Sequence, residues 1–437
     1  MRAPSGSSQA WAERDQSVVW HGFTQMVAYT SSSPLQVERA EGRYLIDVEG
    51  RRYFDGISSL WVNTLGHRVP ELDRAVRRQL GKVAHSTMLG NGNRVVVELA
   101  EALRSVLPVD GSHVLFASDG SSAVEQALKI AYQYWVNRGR AERDTFLVFG
   151  SAYHGDTIGS LSLGDGGFGT ELFDPLRFAV ARTPGYDEPG WLDKALVALE
   201  HHAGRLAAVV IEPVVQGASG MLVAEPEDVG ALGRATARAG ALFVADEVAT
   251  GFGRTTKMFA SDWCGLRPDI VCLGKGMTGG YLPMSATAVC DEVFEAFSGP
   301  DLGPEALYHG HSYGGNALAA SVAKEHLSLM DRWDVLEQAA SSAELLGRML
   351  DRDVRGHRAV AAVRRFGLMA GVELAAPSQE SRWGRRACAA ATRRGVLLRP
   401  LGDVIVVMPP LTSTAEELSK IVEVLGESLD ELAGMTR

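Results

Sequence analysis

Lysine is scarce in this chain, with seven in 437 residues, and the four cysteines show no CxxC spacing. There is no block of basic residues and the net charge is -10, which argues against binding to the phosphate backbone of nucleic acids. No apolar run approaches the ~20 residues that a membrane-spanning helix requires. The sequence therefore predicts neither a nucleic-acid partner nor a membrane protein.

The first residues, MRAPSGSSQAWAERDQ, lack the apolar stretch of a secretory signal, so we expect a cytoplasmic protein. Two of the four cysteines lie in apolar segments, and we expect all four to be reduced packing residues. His309 and His311 could supply two metal ligands, but no third ligand follows at suitable spacing. The sequence therefore does not predict a metal site.

Short apolar runs alternate with helical patterns through the middle of the chain. Five of them are predicted strands: His113–Ala117, Thr145–Phe149, Leu206–Ile211, Ala241–Ala245 and Asp269–Leu273. Near-continuous apolar strands of this kind are typical of a parallel sheet that is covered by helices on both faces. The pattern predicts an α/β fold.

The two ends of the chain show different patterns. YLIDVEGRRYFDG predicts a hairpin that turns at Glu49 and Gly50, and strand-like segments near 365–374 and 403–410 flank a helical stretch. Ser413 to Glu416 fit a capping box for a C-terminal helix. We expect both ends to form one small α+β domain from residues 1–64 and 331–437, beside a large α/β domain of residues 65–330.

A glycine and hydroxyl side chains follow the first predicted strand. Gly120 and Ser121 stand at the start of a predicted helix, where free backbone N–H groups and the helix dipole favour a phosphate. The alternative is a self-capping turn without a ligand, and the motif alone does not separate the two.

Other polar residues follow the neighbouring strands. Glu212, Asp246 and the pair Tyr153-His154 all come where an apolar strand ends, and parallel strands end at one edge of a sheet. A buried carboxylate such as Asp246 needs a donor or cation, and a structural salt bridge to Arg254 is the competing interpretation.

Lys275 is the one lysine that follows directly on an apolar strand, within LGKGMTGGYLP. Partial burial lowers the pKa of an amine and makes it nucleophilic, and the glycines would let a planar group approach the backbone. A lysine, a strand-end carboxylate, a phosphate site and an aromatic ring together are what pyridoxal phosphate requires.

Nine stretches of the chain resemble class III pyridoxal-phosphate aminotransferases, in that family's order. They are WHGFTQM (20–26), SSLWVNTLGH (58–67), ALKIAYQYW (127–135), YHGDTIGSLS (153–162), EPVVQGASGM (212–221), DEVATGFGRT (246–255), GKGMTGGYLP (274–283), HGHSYGGN (309–316) and RPLGDVIVVMPP (399–410). The resemblance implies a fold-type I homodimer with shared active sites and is strongest to the branch that converts 8-amino-7-oxononanoate to 7,8-diaminononanoate in biotin synthesis.

The resemblance also implies roles for single residues. It makes Lys275 the lysine that holds the cofactor, Asp246 the partner of the pyridine nitrogen, and Tyr153 the ring that covers the cofactor. The remaining implied cofactor residues are Gly120, Ser121, His154, Glu212 and Ser312, of which Ser312 would reach the phosphate in the other subunit. The implied substrate residues are Phe23, Leu60, Trp61, Arg254 and Arg399, with Arg399 binding the acceptor carboxylate.

The chain departs from the family pattern at several positions. Asp119 stands where a serine is usual, and His21-Gly22-Phe23 and Leu60-Trp61 replace the HPY and Trp-Trp segments of members that use S-adenosylmethionine. Phe23 and Leu60 favour the branch that takes its amino group from L-lysine. An ω-aminotransferase of another pathway stays open as the alternative function.

Overall fold

The computed structural model describes residues 6–165 and 169–434. The strands are β1 (Val37–Glu41), β2 (Tyr44–Asp47), β3 (Arg52–Asp55), β4 (His113–Ala117), β5 (Thr145–Phe149), β6 (Ala181–Thr183), β7 (Leu206–Ile211), β8 (Val215–Gln216), β9 (Leu222–Val223), β10 (Leu242–Asp246), β11 (Ile270–Leu273), β12 (Ser285–Val289), β13 (Val360–Phe366), β14 (Met369–Leu374), β15 (Val396–Leu397), β16 (Arg399–Leu401) and β17 (Val404–Val407).

The helices follow the same numbering. They are α1 (Ser8–Val18), α2 (Ser58–Trp61, a single turn), α3 (Pro70–Leu80), α4 (Arg94–Arg104), α5 (Gly120–Asn137), α6 (Ile158–Leu163), α7 (Trp191–His202), α8 (Pro226–Arg238), α9 (Asp291–Glu295), α10 (Ala317–Arg332), α11 (Val335–Asp353), α12 (Trp383–Arg393) and α13 (Ala415–Gly434). Short 3₁₀ turns include Ala260–Asp262 and Lys275–Thr278.

The central sheet has seven strands in the order β4-β12-β11-β10-β7-β5-β6. All five predicted strands belong to it, three of them with the predicted bounds. Only β12 runs antiparallel to its neighbours, so the prediction of a mainly parallel sheet is confirmed. The sequence analysis did not identify β6 and β12.

Helices cover both faces of this sheet, as the apolar strands required. Successive strand residues point to opposite faces, and Val209 and Val210 accordingly belong to different buried clusters. Val210 packs with residues of α5 such as Ala127, and Val209 packs with residues such as Leu232 of α8. The predicted α/β fold is confirmed.

Strands from both ends of the chain share a second sheet, β1-β2-β3-β15. β2 and β3 form the predicted hairpin, and β3 pairs in parallel with β15. A further antiparallel sheet, β13-β14-β17-β16, contains only C-terminal strands. The domain boundaries at 64/65 and 330/331 stay a prediction.

The predicted capping box is wrong by one residue. Thr414 and Glu417, instead of Ser413 and Glu416, cap α13: the Glu417 N–H donates to Thr414 Oγ1 at 3.3 Å, and the Thr414 N–H donates to Glu417 Oε2 at 2.9 Å. The Ser413 hydroxyl turns back to the Pro410 carbonyl at 2.6 Å, which leaves Thr414 as the first capping residue.

Cys264, Cys272 and Cys388 are buried, Cys290 is half-buried, and all four are free thiols, as the packing interpretation predicted. Within residues 6–165 and 169–434, no helix is both long and apolar enough to span a membrane. The same ranges contain no group of three or more His, Cys, Asp or Glu side chains that could hold a metal ion.

Candidate active site

Five strands end at one edge of the central sheet and deliver the predicted residues there. Because β4, β5, β7, β10 and β11 run in the same direction, the residues that follow them lie along the same edge. This edge carries Gly120, Tyr153, Glu212, Asp246 and Lys275.

Asp246 pairs with His154 at the centre of this edge. His154 Nδ1 lies 2.7 Å from Asp246 Oδ2, and the Val248 N–H donates to Oδ1 at 3.1 Å. Burial by itself lowers the pKa of His154, but the hydrogen bond and negative charge of Asp246 outweigh it and raise the pKa. The imidazole is therefore stabilised as a cation, and the alternative of an Asp246 to Arg254 salt bridge is wrong.

Arg254 serves instead to hold two backbone segments together. It is 1% exposed, and its guanidinium donates to the carbonyls of Pro409 and Asn63 at 2.7 Å each. Burial lowers its pKa to about 9, while the charge of Asp55 acts in the opposite direction. Its buried positive charge in turn lowers the pKa of Lys275.

Glu212 joins the segments that follow β5 and β7. Its carboxylate accepts hydrogen bonds from the N–H groups of Tyr153, at 3.0 Å, and Gly217, at 3.1 Å. Burial raises the pKa of Glu212 to about 7. The charge of His154 lowers this pKa, and the charge of Asp246 raises it. Glu212 is therefore a buried group that titrates near neutral pH.

Tyr153 lies half-buried beside these acids. Burial raises the pKa of its phenol, and the neighbouring Asp156 adds to the rise through its charge and a hydrogen bond. The sequence analysis missed Asp156, although it stands three residues after Tyr153 in the quoted motif YHGDT. The signal that could have identified Asp156 was a carboxylate close in sequence to the phenol of Tyr153.

The Lys275 amine lies against an aromatic face. Its Nζ is 4.7 Å from the centre of the Trp61 ring, a cation–π distance. Part of the residue reaches solvent, but burial of the amine lowers its pKa, Asp246 and Glu212 raise it, and Arg254 lowers it again. Lys275 thus combines the depressed basicity and the acidic neighbours expected of a nucleophilic lysine.

The start of α5 is both self-capped and tightly packed. Asp119 accepts hydrogen bonds from the Ser122 N–H and hydroxyl, each at 2.8 Å, so this departure from the family pattern is an ordinary N-cap. A Cβ on Gly120 would lie 2.6 Å from Val248 Cγ1. Residue 120 is therefore glycine because the helix start packs closely on Val248.

The glycines after Lys275 have a different use from the predicted one. A Cβ on Gly276 would lie 3.2 Å from Thr64 Cγ2, one on Gly279 would lie 3.1 Å from His326 Cδ2, and one on Gly280 would lie 3.1 Å from the Asn63 backbone. These three glycines let the turn pack on the protein instead of making room for a cofactor. Gly274, just before Lys275, faces the α5 start: a Cβ on it would lie 3.5 Å from the Gly120 Cα.

The α2 turn that carries Leu60 and Trp61 has an unusual backbone. Ser58, Ser59, Leu60 and Trp61 all have positive φ, between 49° and 74°. The Asp55 carboxylate holds this turn by accepting from the Ser59 N–H at 2.8 Å and hydroxyl at 2.7 Å. Trp61 is buried, whereas Leu60 and the N-terminal Phe23 are exposed.

Three predicted residues do not touch this group. Ser312 is exposed, and its carbonyl lies 2.9 Å from the His85 ring Nε2. Arg399 is exposed at the start of β16, where its positive charge acts on buried Cys388. Ser121 lies at the edge, but its hydroxyl accepts the Asp156 N–H at 3.2 Å.

Known proteins are similar to this chain in sequence and in fold. Residues 26–429 match the family Aminotransferase class-III. The chain belongs to the class III aminotransferases. It is 44% identical to the adenosylmethionine-8-amino-7-oxononanoate aminotransferase of Nitratidesulfovibrio vulgaris over 93% of this chain and 79% of that one, and 39% identical to the Anoxybacillus flavithermus protein of the same name over 96% of both.

Solved structures of this class have the same fold. The adenosylmethionine-8-amino-7-oxononanoate aminotransferase of Methanocaldococcus jannaschii is 36% identical, with a TM-score of 0.94 over 97% of this chain and 99% of that one. The ω-transaminase of Pseudomonas jessenii in complex with PMP is 29% identical, with a TM-score of 0.90 over 96% and 97%. Class III aminotransferases use pyridoxal phosphate.

The residues of this aminotransferase fit that cofactor. The buried His154 Nε2 and Trp61 Nε1 atoms have no hydrogen-bond partner in the described ranges, so both could serve a bound group. Asp246, with a cationic imidazole behind it, suits a protonated pyridine nitrogen. Lys275 lies within the electrostatic reach of the same carboxylate.

Proposed function

We propose that this enzyme transfers an amino group to 8-amino-7-oxononanoate and so makes 7,8-diaminononanoate in biotin synthesis. The observation that supports this proposal best is the sequence identity to relatives named for this acceptor. It is 34–44% over 93–99% of this chain for the first six.

The proposed roles follow the geometry of the edge. Lys275 binds the cofactor, Asp246 holds the pyridine nitrogen, and His154 fixes the Asp246 carboxyl group through the 2.7 Å contact. Tyr153 covers the ring, and Gly120 and Ser121 at the α5 start bind the phosphate. Glu212 fixes the Tyr153 segment through its backbone N–H.

The chemistry is divided between cofactor and protein. When bound, pyridoxal phosphate supplies a carbonyl that condenses with amines and a ring that stores an electron pair. Lys275 would hold the cofactor through its amine, and its Nζ, once replaced there by the donor amine, would be the group that accepts and returns a proton. Asp246 favours the protonated ring nitrogen throughout.

We infer further that the enzyme acts in the cytoplasm as a homodimer. Large apolar or aromatic side chains are exposed in the N-terminal segment and beside Ser312, including Trp20 at 89%, Val27 at 86% and Tyr313 at 61%. Tyr313 stands beside Ser312, which would reach the partner's phosphate. Such side chains suit a buried interface better than solvent, and light scattering of the purified enzyme tests the assembly.

L-lysine is the proposed donor. The side chains of Phe23 and Leu60, both exposed, offer no hydrogen-bond donors to a polar sulfonium substrate. S-adenosylmethionine, for which the relatives are named, is the competing donor.

A single-turnover experiment decides between the donors. The pyridoxal-form enzyme is mixed with either donor, and the loss of the visible band of the lysine-bound cofactor is followed. Bleaching by lysine and not by S-adenosylmethionine is expected, and the reverse result would reassign the donor. The pyridoxamine form, mixed with 8-amino-7-oxononanoate, should regain the band.

The ω-transaminases are the source of the second candidate function, because one is superimposable at a TM-score of 0.92 with 28% identity. If 8-amino-7-oxononanoate does not restore the band while another ketone or aldehyde does, this candidate replaces the first. Lys275→Ala should lack the band and turnover with either acceptor, and retained turnover would contradict the assigned lysine.

A further inference from the structure

A buried hydrogen bond joins two residues that lie 262 positions apart beneath the Lys275 turn. Thr64 Oγ1 is 2.6 Å from His326 Nε2, and both side chains are fully buried. Neither residue has a role in the proposed chemistry; Thr64 lies in the quoted stretch SSLWVNTLGH without an assigned role, and His326 lies in none of the quoted stretches. A buried polar pair needs an explanation because leaving either group unpaired costs stability.

His326 is a neutral histidine on α10. Burial, followed by the positive charge of Arg254, lowers its pKa to about 3, while the Met277 carbonyl of the Lys275 turn acts in the opposite direction. Its Nδ1 makes no normal hydrogen bond among the described residues. Among the described residues, the contact to Thr64 is therefore the one side-chain hydrogen bond of this ring, beside its weaker interaction with the Met277 carbonyl.

Thr64 in turn is tied to the C-terminal part of the chain. Its carbonyl accepts the Leu411 N–H at 2.8 Å, and the carbonyl of the preceding Asn63 accepts from Arg254 at 2.7 Å. Thr64 follows the α2 turn by three residues, so the same short segment carries Trp61 at its other end.

The Lys275 turn rests directly on this pair. A Cβ on Gly279, whose φ is +61°, would lie 3.1 Å from His326 Cδ2 and 3.4 Å from Thr64 Oγ1. At the other end of the turn, Lys275 Nζ lies over the Trp61 ring. The segment 61–64 and the turn 275–280 therefore touch at several points: Trp61 meets Lys275 Nζ, Thr64 faces Gly276 and Gly279, and Asn63 faces Gly280.

We propose that the Thr64–His326 hydrogen bond is a positioning contact. It fixes the position of the Lys275 turn relative to the segment 61–64 and so the direction of the lysine amine. This inference rests on the proposed role of Lys275. Without the bond, the turn can settle toward α10 while Trp61 stays attached to its own segment. Misplacement of a reacting group by about 1 Å can cost up to about 10²-fold in rate.

Two variants remove the bond from opposite sides. Thr64→Val keeps the shape of the side chain and loses the hydroxyl, and His326→Leu removes the ring nitrogen. Each should lower kcat about tenfold, leave KM for the donor within about twofold, and shift the pH midpoint of the visible band by about half a unit. The double variant should be no worse than either single one, because both remove the same contact.

Thr236→Val is the matched control. Thr236 is equally buried, and its hydroxyl donates only to the Leu232 carbonyl of its own helix at 2.9 Å. This variant should leave the band midpoint and kcat unchanged. His326→Gln places an amide near the lost Nε2 and should recover more than half of the midpoint shift.

The proposal is overturned if folded Thr64→Val has the same kcat and band midpoint as Thr236→Val, even when its melting temperature falls, since only a structural role would then remain. Lys275→Ala separates this result from the assigned function. If that variant keeps the visible band, the role of Lys275 fails whatever Thr64→Val does; if it loses the band, the Thr64 result stands by itself.

Discussion

Asp246 and Glu247 are adjacent buried carboxylates with opposite uses. Asp246 keeps one strong partner, His154, and acts on the pKa of Lys275, Tyr153 and Glu212. Glu247 lies on the other side of the strand end and is satisfied by the Ser261 N–H and hydroxyl at 2.7 Å each, the Ala260 N–H at 3.0 Å and the Thr250 hydroxyl.

The difference shows what separates a site carboxylate from a structural one. Both are almost fully buried, and burial raises the pKa of Glu247, opposed by its hydrogen bonds. The Glu247 carboxylate accepts its hydrogen bonds from neutral groups on Thr250, Ala260 and Ser261. Asp246 is paired with an ionisable ring whose other nitrogen is unpaired, so its electrostatic effect reaches outward.

Asp246→Asn should give the largest effect. The amide cannot hold a protonated pyridine nitrogen, so we expect kcat to fall by about 10³-fold, the loss typical of one removed electrostatic contact. The melting temperature of the cofactor-free protein should change little. Stopped-flow turnover and thermal unfolding measure the two; a melting temperature that falls in step with kcat would make Asp246 a structural residue.

Glu247→Gln should reverse that pattern. The new NH₂ group would face two hydrogen-bond donors, so the free energy of unfolding should fall by about 3 kcal/mol. The kcat of the folded fraction should match that of the wild type. Urea unfolding of the cofactor-free protein gives the first quantity, and a large drop in kcat at full folding would count against the contrast with Asp246.

Glu212→Gln should change how stability depends on pH. Because the folded pKa of Glu212 is raised from 4.5 to about 7, the folded state binds a proton more tightly than the unfolded state. Its stabilising contribution is full below pH 4.5 and is lost as the pH rises through 7. We expect about 2 kcal/mol of stability loss across this window, absent in the variant. Urea unfolding of the wild type that gives the same free energy of unfolding at pH 5 and pH 7.5 would refute this prediction.

Thr250→Val should give the smallest effect. It removes one of four donors to Glu247 while the other three remain, so a loss of about 1 kcal/mol is expected. Comparison with Glu247→Gln by urea unfolding shows whether the cluster acts as one unit. A loss as large as that of Glu247→Gln would mean that the Thr250 bond alone carries the cluster.

Local patterns predicted the fold and the site edge well. The apolar runs gave β4, β5 and β7 with their observed bounds, because a buried parallel strand needs an unbroken apolar sequence. Ser285–Val289 was missed because its small residues carry little strand signal. The shift of the capping box from Ser413 to Thr414 depends on a single hydroxyl turning back to Pro410.

The partners of the site residues were harder to predict than the residues. Asp246 and His154 were both assigned to the edge, but their pairing joins residues 92 positions apart and was not anticipated. Thr64 was quoted in the stretch 58–67 without a role, His326 was in no quoted stretch, and the two meet through the packing of α10. The glycines of the Lys275 turn were recognised, but the surface that they face follows from tertiary contacts alone.

The α2 turn restricts how this enzyme can be altered by mutation. Leu60 has a φ of 74°, a conformation that glycine and asparagine adopt readily and β-branched residues strongly resist. A library at position 60 would therefore return few folded valine, isoleucine or threonine variants, whatever their size. The backbone therefore leaves position 60 a narrow set of single substitutions before any substrate is bound.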